Sequence, residues 1–497
     1  MTELRESKQP GGSPPTRSRG AAGGAGGGGA GTAEAEGAAG SGREPRRRDV
    51  RAAVLLAMAA LLVYNVNLRT IATGDSLPAR FIPFAVWKAG TVRLDPVLEA
   101  TRQQHPDSYW IQRARDGGHA SMYPIVAPLL VTPLYAPAAF YLMWHGWPEK
   151  SLEVVGEVME KIAASCVAAA ASGLMFLLLR QRMRFGPGLL LAIAFAVGTE
   201  TWVIGSQALW QHGAAELLLV AALLAVTGPP TTTRLVVAGL ACGLVIGDRP
   251  LDLPLAGAIA LFAPLWAGRR AGWFMLAAGL PVALLIVYNL TTFGEIAGGY
   301  EMVAKQARYP YFLHPIGRGM VEMLFSPGKG LFPFTPFLLF VPFCLGRVLK
   351  VGVEPLPAPE SWPRWRPLRW ALAGRDRALA VCLLAGILTQ VVLYGPTEWR
   401  GGSAYGPRFL TDMLPMAIWL LGPVVESLRG AGLALFVAAV TFSTAVQAIG
   451  AFCYPRGGSD VRINVEHSSM PGYLIEAAAG PIRPSWLDSI LGPRPPG

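Results

Sequence analysis

Apolar runs separated by short polar stretches recur along almost the whole chain. The first is Ala52–Val66. Tyr123–Trp144, Ile162–Leu179, Gly188–Ile204, Ala214–Val226, Leu235–Gly247, Leu251–Trp266, Trp273–Leu290, Leu331–Leu345, Leu379–Tyr394, Leu410–Val425 and Leu433–Phe452 follow. Runs of this length and composition predict membrane helices. Basic residues flank alternate ends: Arg180, Arg182 and Arg184 after one run, Arg269 and Arg270 after another, Arg347 and Lys350 after a third. By the positive-inside bias, those ends are cytoplasmic. From Ile162 onward a single alternation fits every flank and leaves the C-terminus outside. With a cytoplasmic N-terminus the number of crossings is then odd. Tyr123–Trp144 is broken by Pro128, Pro133 and Pro137, and its link to the next run (Pro148–Lys161) carries four Glu and two Lys. It is therefore expected to be re-entrant or surface-lying, which gives 11 crossings; a missed span would give 13.

Composition agrees with a lipid-solvated chain. Of 497 residues, 52% are hydrophobic and only 15% charged, against about 25% charged in soluble domains. Mean hydropathy is +0.39. The net charge of +11 sits largely beside apolar runs, so no nucleic-acid partner is expected. Five scattered cysteines (Cys166, Cys242, Cys344, Cys382, Cys453) show neither metal-ligand spacing nor a disulfide framework.

Three regions follow. Residues 1–50 are rich in Gly, Ala, Ser, Pro and Arg and are expected to be a disordered cytoplasmic tail. The GxGxxG match inside GGAGGGGAG has no strand before it and no helix after it, and is no nucleotide site. Arg43, Arg46, Arg47, Arg48 and Arg51 hold this end in the cytoplasm. Residues 51–452 form an all-α polytopic domain in the cytoplasmic (inner) membrane, with outer loops 68–121 and 291–330. The loop 347–377, with seven basic and three acidic residues, is cytoplasmic; its Trp362, Trp365 and Trp370, alternating with Arg364, Arg366 and Arg369, read as an interfacial segment. Residues 453–497 form an outer-face tail.

Candidate chemistry gathers on the outer side. Asp75, in NLRTIATGDSLPARFIP, is the carboxylate that follows the first run, where a general base at the membrane surface would stand. The alternative is an ordinary solvated interfacial Asp. Lys305, Arg308, Arg318 and Lys329 on one loop, with Arg400 and Arg408 on the turn EWRGGSAYGPRF, are interleaved with Tyr300, Tyr309, Tyr311, Trp399 and Tyr405. This pattern fits an anion site, since Arg and Lys bind phosphate by charge-assisted bonds. It fits headgroup anchors equally well. Glu200, Gln207, Gln211 and His212 crowd another outer turn around Trp202 and Trp210. Asp248–Arg249 in GDRPLD forms either a local ion pair or a further phosphate contact. Arg80, Tyr300 and Tyr405 are candidate substrate contacts. Asp95, His119 and Tyr123 read as loop packing.

The blocks GDSLPARFIPFAVWKAGTVRLDP, SMYPIVAPLLVTPLY, GTETWVIGSQALWQH, YNLTTFGEIAGGY, FSPGKGLFPFTP and WRGGSAYGPRFLTDMLP occur in that order between about Asn67 and Pro415. Their series resembles bacterial GT-C-type membrane glycosyltransferases, relatives of the protein O-mannosyltransferases and aminoarabinose transferases. The resemblance implies a bundle of 11 to 13 helices whose long first outer loop carries juxtamembrane helices, and a polyprenyl-phosphate sugar as donor. Asp75 matches the first-loop acid, the general base of an inverting transfer to an acceptor hydroxyl. Lys329, Arg408, Arg400 and Arg249 would hold the donor phosphate, and Arg80, Glu200, His212, Tyr300 and Tyr405 would meet sugar or acceptor. A lone Asp follows Gly74 where better-known members have paired acids, so no metal is expected, and no cofactor beyond the donor. The expected partners are the bilayer, the lipid-linked sugar and an acceptor glycan, lipid or protein. Two other classes stay open: a transporter or flippase of a lipid-linked or anionic substrate, and a non-catalytic lipid-binding scaffold of the same fold.

Overall fold

The longest helix among the described residues, rich in Ala and Leu and free of proline, spans 32 residues, Glu149–Arg180. At 1.5 Å per residue it is about 48 Å long, well beyond the roughly 30 Å of a hydrocarbon core. Its first twelve residues carry Glu149, Glu153, Glu157 and Glu160, and its last residue is Arg180. That polarity organises the rest of the chain.

The computed structural model describes residues 46–98, 110–306, 314–343, 374–402 and 404–454. Most of the N-terminal tail, most of the loop 347–377 with its Trp/Arg segment, and the C-terminal tail from residue 455 lie outside the described residues, as do Arg308, Tyr309, Tyr311 and Cys344. In chain order the elements are α1 (Arg47–Asn65), α2 (Leu77–Ala89), the hairpin β1 (Ile111–Arg113) and β2 (His119–Ser121), α3 (Val126–Trp144), α4 (Glu149–Arg180), α5 (Phe185–Val197), α6 (Gln211–Val226), α7 (Thr232–Asp248), α8 (Leu253–Ala267), α9 (Ala271–Thr292), α10 (Gly299–Gln306), α11 (Ile316–Phe325), α12 (Leu331–Phe334), α13 (Arg375–Tyr394), α14 (Leu414–Ser427) and α15 (Gly430–Cys453). The protein is mostly helical. Among the described residues, six stretches are long and apolar enough to cross a membrane: α3, α4, Pro250–Thr292, α13, Arg408–Ser427 and α15. Pro250–Thr292 is broken at Gly268, whose φ of +56° turns the chain between α8 and α9. Two shorter helices, α5 and α6, are also apolar.

The bundle has two unlike ends. At one, Arg180 pairs with Asp49 (2.8 Å), Arg182 with Asp376 (2.9 Å) and Arg184 with Glu426 (2.5 Å), while Trp266 Nε1 donates to the Gly228 carbonyl (3.1 Å). The segments meeting there (46–51, 180–184, 226–234, 266–270, 374–377 and 424–429) carry thirteen arginines and three carboxylates. At the other end, Ile71 N–H donates to the Gln207 carbonyl (3.1 Å), Trp210 Nε1 to the Ile71 carbonyl (3.2 Å) and Asn67 Nδ2 to the Ala451 carbonyl (2.8 Å).

α2 and α3 build a layer at this second end. Pro78 opens α2 at a position where a missing N–H costs nothing, and Gly90, at φ +65°, closes it. Phe84 packs edge-on against Tyr135 (4.9 Å) and Trp147 (6.1 Å), and Trp87 Nε1 donates to the Thr132 carbonyl (2.9 Å). Thus α3 lies along α2 and the start of α4. Between α7 and α9 the spacing Gly239–Leu–Ala–Cys–Gly243 lets two backbones touch. A Cβ at either glycine would stand 2.3 Å from a carbonyl oxygen of α9, Phe274 or Ala278. This is small-residue packing of the kind that joins helices in lipid.

The hairpin is the departure from an all-α chain among the described residues. Asp116–Gly117–Gly118 makes its turn: Gly117 takes φ +86° and Asp116 Oδ1 accepts from Gly118 N–H (3.0 Å). Asp95 accepts from His119 N–H and lies 2.9 Å from His119 Nδ1. Burial works against the ionised Asp95, but these bonds outweigh it and hold its carboxyl below the ordinary range. The hairpin ends two residues before Tyr123.

Candidate functional site

Asp75 stands in the turn between α1 and α2, where Ser76 N–H donates to the Thr73 carbonyl (3.0 Å). The N-terminus of α2 follows, with its partial positive charge. Arg408 comes from the far end of the sequence. Gly406, at φ +64°, and Pro407 turn the chain into a 3₁₀ segment, Arg408–Met413, that leads into α14. Arg408 Nη1 lies 2.6 Å from Asp75 Oδ2, and Tyr123 Oη donates to Asp75 Oδ1 at 2.5 Å. The guanidinium is backed by the Trp210 and Phe409 rings, 4.6 and 4.9 Å from its carbon. Such aromatic faces hold a cation without neutralising it. The Asp75 side chain is 26% exposed and that of Arg408 10%, so the carboxylate faces outward from a largely covered arginine.

Lys329 reaches the same corner. Its ammonium donates to the Gly402 carbonyl (2.6 Å) and the Arg400 carbonyl (3.4 Å). This turn is tight because Gly401 and Gly402 both take positive φ, and a Cβ at Gly401 would stand 3.2 Å from Arg408 Nε. Lys329 and Arg408 therefore flank one glycine turn. Tyr300 packs edge-on against Tyr123 (5.6 Å) and donates to Gln211 Oε1 (3.0 Å). Burial pushes its phenol above the ordinary value, so it remains a donor.

The other expected contacts are engaged elsewhere. Arg80, expected at the substrate, is buried between Glu153 (2.6 Å) and Glu160 (2.7 Å) and ties α2 to α4. The Arg400 guanidinium lies over Trp399 (4.7 Å) and pairs with Glu322 (3.4 Å) and Glu398 (3.6 Å). Lys305 pairs with Glu295 and Glu301, and Arg318 with Glu322. Tyr405 is core: its hydroxyl donates to the Val446 carbonyl (2.5 Å) and its ring packs on Phe334 and Tyr454. Of the six loop cations, Arg408 and Lys329 stand at the Asp75 corner, Arg400, Lys305 and Arg318 are paired with carboxylates, and Arg308 lies outside the described residues.

Arg249, expected at a donor phosphate, is interior as well. Its Nη2 donates to Tyr394 Oη (2.6 Å), its Nη1 meets His212 Nε2 (3.2 Å), and its Nε lies near Asp412 (3.1 Å) and Asp252 (3.3 Å). A guanidinium only donates, so His212 Nε2 accepts. His212 Nδ1 then carries the proton and donates to Asp412 (2.9 Å). Gln390 donates to Asp252 Oδ1 (2.9 Å). Asp248 does not pair with its neighbour Arg249; its Oδ1 accepts from Ala127 N–H (3.0 Å). Glu200, in the connection between α5 and α6, is fully buried and accepts from Thr335 Oγ1 (3.2 Å) and Gln447 Nε2 (3.1 Å). Burial pushes its carboxyl up to about 7 against the pull of those bonds. Residues read as an outer turn thus form a buried polar layer beside the Asp75 corner.

Sequence reasoning read Tyr123 as loop packing, named Trp210 only as a neighbour of the outer-turn polar residues, and missed Asp252 and Asp412. The i, i+3 spacing of Arg249 and Asp252 was a visible signal; nothing local marked Asp412. Among the described residues, no group of three or more His, Cys, Asp or Glu is placed to hold a metal ion. The chain is thus a mostly helical protein with the apolar helices of a multi-pass membrane protein, carrying an acid–arginine–tyrosine constellation at one end of its bundle. Compared with known proteins, it matches no family model, no curated protein and no solved structure.

Proposed function

We propose that the protein is a GT-C-type glycosyltransferase of the cytoplasmic membrane that moves a sugar from a polyprenyl phosphate to an acceptor hydroxyl on the outer face. In this reading the chain crosses the bilayer about 11 times, with the arginine-rich end of the bundle in the cytoplasm and α3 lying at the outer surface. The observation that carries it is the 2.6 Å contact between Asp75 and Arg408. It joins the one acid after the first helix to a stacked arginine, with Lys329 on the adjoining turn.

A carboxylate in an ion pair is a weak base, so the pair is a resting state. The donor phosphate competes for Arg408 and releases Asp75 Oδ2, while Tyr123 holds Oδ1. The acceptor hydroxyl gives its proton to Asp75 as its oxygen attacks the anomeric carbon. The bond from that carbon to the phosphate oxygen breaks with its electron pair, and Arg408 and Lys329 stabilise the leaving polyprenyl phosphate. Attack opposite the leaving group inverts the anomeric centre. Purified full-length protein should transfer or hydrolyse a polyprenyl-phosphate sugar, and Asp75→Asn should lower this by about 10²–10⁴-fold while still binding donor. Undiminished turnover in that variant removes Asp75 from the role.

One observation favours a second class. His212, Arg249, Asp252 and Asp412 are interior titratable groups close to the apolar helices, as in proton- or ion-coupled transporters. Reconstituted vesicles that move an anionic or lipid-linked solute without transferring sugar would select that class. Donor binding with neither activity would select a scaffold.

A further inference from the structure

Lys161 follows Glu160 in α4, yet the two face different partners. Glu160 takes Arg80 and the Leu209 N–H, whereas the Lys161 ammonium donates to Gln207 Oε1. That oxygen also accepts from Asn67 Nδ2 (2.6 Å), and Gln207 Nε2 is engaged by the Tyr64 carbonyl and Ser206 Oγ. The amide is thus fully used. An ammonium has three N–H donors, Lys161 is only 6% exposed, and among the described residues it forms no ion pair. The charge beside it is another cation, Arg69. Arg69 donates to the Phe452 carbonyl (2.5 Å) and the Tyr454 carbonyl, at the C-terminal end of α15.

A buried ammonium held by a single amide oxygen is costly unless an anion joins it. The surroundings indicate where that anion comes from. Leu68 is 89% exposed, Val158 52%, Phe452 45% and Ile162 42%, so an apolar rim frames the two cations. In a chain bathed in lipid such a rim meets acyl chains, and a cationic spot set into it meets headgroup phosphate.

We infer that Lys161 and Arg69 seat the phosphate of an anionic lipid headgroup, with its chains over Leu68, Ile162 and Phe452. The seat differs in its residues from the Asp75–Arg408 corner: Gln207 holds Lys161, and Trp210, three residues on, backs Arg408. It does not depend on the glycosyltransferase reading.

The test uses full-length protein in nanodiscs of phosphatidylcholine, with and without phosphatidylglycerol. Phosphatidylglycerol should raise the thermal midpoint of the wild type, because a ligand of the folded state stabilises it. Native mass spectrometry should find one such lipid retained per chain. Lys161→Met should lose both effects, yet melt no lower than the wild type in phosphatidylcholine alone, since it removes an uncompensated charge. Lys161→Arg should keep both. Arg69→Gln, at the half-buried edge of the seat, should weaken them without altering the buried ammonium. Retention of the lipid and its thermal shift in Lys161→Met and Arg69→Gln overturns the proposal. An equal shift from millimolar inorganic phosphate in phosphatidylcholine nanodiscs also overturns it, because the anion is then free phosphate.

Discussion

Two side chains of the corner on which the proposed chemistry rests, and one buried beside it, have separable effects. Asp75→Asn removes the proton acceptor, and turnover should fall by about 10²–10⁴-fold, the usual worth of a positioned base, read as kcat with donor in excess. Tyr123→Phe removes a hydrogen bond to the charged form of Asp75. Without it the carboxyl protonates more easily, so the acidic limb of the pH–rate profile should move upward while the basic limb stays. An unmoved profile would reduce Tyr123 to packing. Glu200 gives a stability signature instead. Its carboxyl titrates near 7 in the folded protein and close to the ordinary value when unfolded. The folded state therefore holds a proton that the unfolded state releases as pH rises. The stabilisation is complete below about 4.5 and is lost up to about 7, above which it stays flat. Thermal midpoints measured across this window should decline in the wild type and decline less in Glu200→Gln.

Two contacts between elements decide how the helices meet. Arg80 lies between Glu153 and the fully buried Glu160, so Arg80→Met leaves a buried carboxylate without its cation. Removing one partner of a buried pair costs about 3–5 kcal/mol, and denaturation in detergent should show a loss of that order. An unchanged midpoint would mean that α2 is not anchored through this pair. Gly243 matters for the opposite reason, the absence of a side chain. Its α-carbon faces the Ala278 carbonyl so closely that a Cβ would stand 2.3 Å from the oxygen. Gly243→Val must push α7 from α9 and should cost about 1–3 kcal/mol by overpacking. Gly257, where a Cβ meets nothing within 4 Å, is the neutral control as Gly257→Ala.

For the whole molecule, the consequence is orientation. Arginine outnumbers carboxylate thirteen to three in the segments that meet at one end of the bundle, and the Asp75 corner is at the other. In the proposed reading, the positive-inside bias turns the corner away from the cytoplasm. Alkaline phosphatase fused after Gly497 should then be active in cells, and a green fluorescent protein fused there through the secretory translocon should be dark. The reverse pattern would put Asp75 in the cytoplasm, beside a different pool of lipid-linked substrates.

Much of this arrangement was legible along the chain. Apolar runs announce helices because in lipid a backbone must satisfy its own hydrogen bonds. Arginine flanks announce sidedness, and a lone acid after the first run announces a candidate base. Each is a local property, carried by neighbouring residues. Partner choice is not local. Asp75 and Arg408 are 333 residues apart in sequence, and His212 and Asp412 are 200 apart. Along the chain Arg408, Arg400 and Arg249 were all candidates for the donor phosphate and Arg80 for the substrate, since all are arginines near polar turns. The tertiary structure separated them: Glu322, Asp412 and Glu160 reach the other three first, and only Arg408 arrives at Asp75. Sequence by itself thus marked out the apolar helices and picked the acid as a candidate. Packing alone decided which charge stands opposite that acid, because ion pairs form over a few ångströms whatever the length of chain between them.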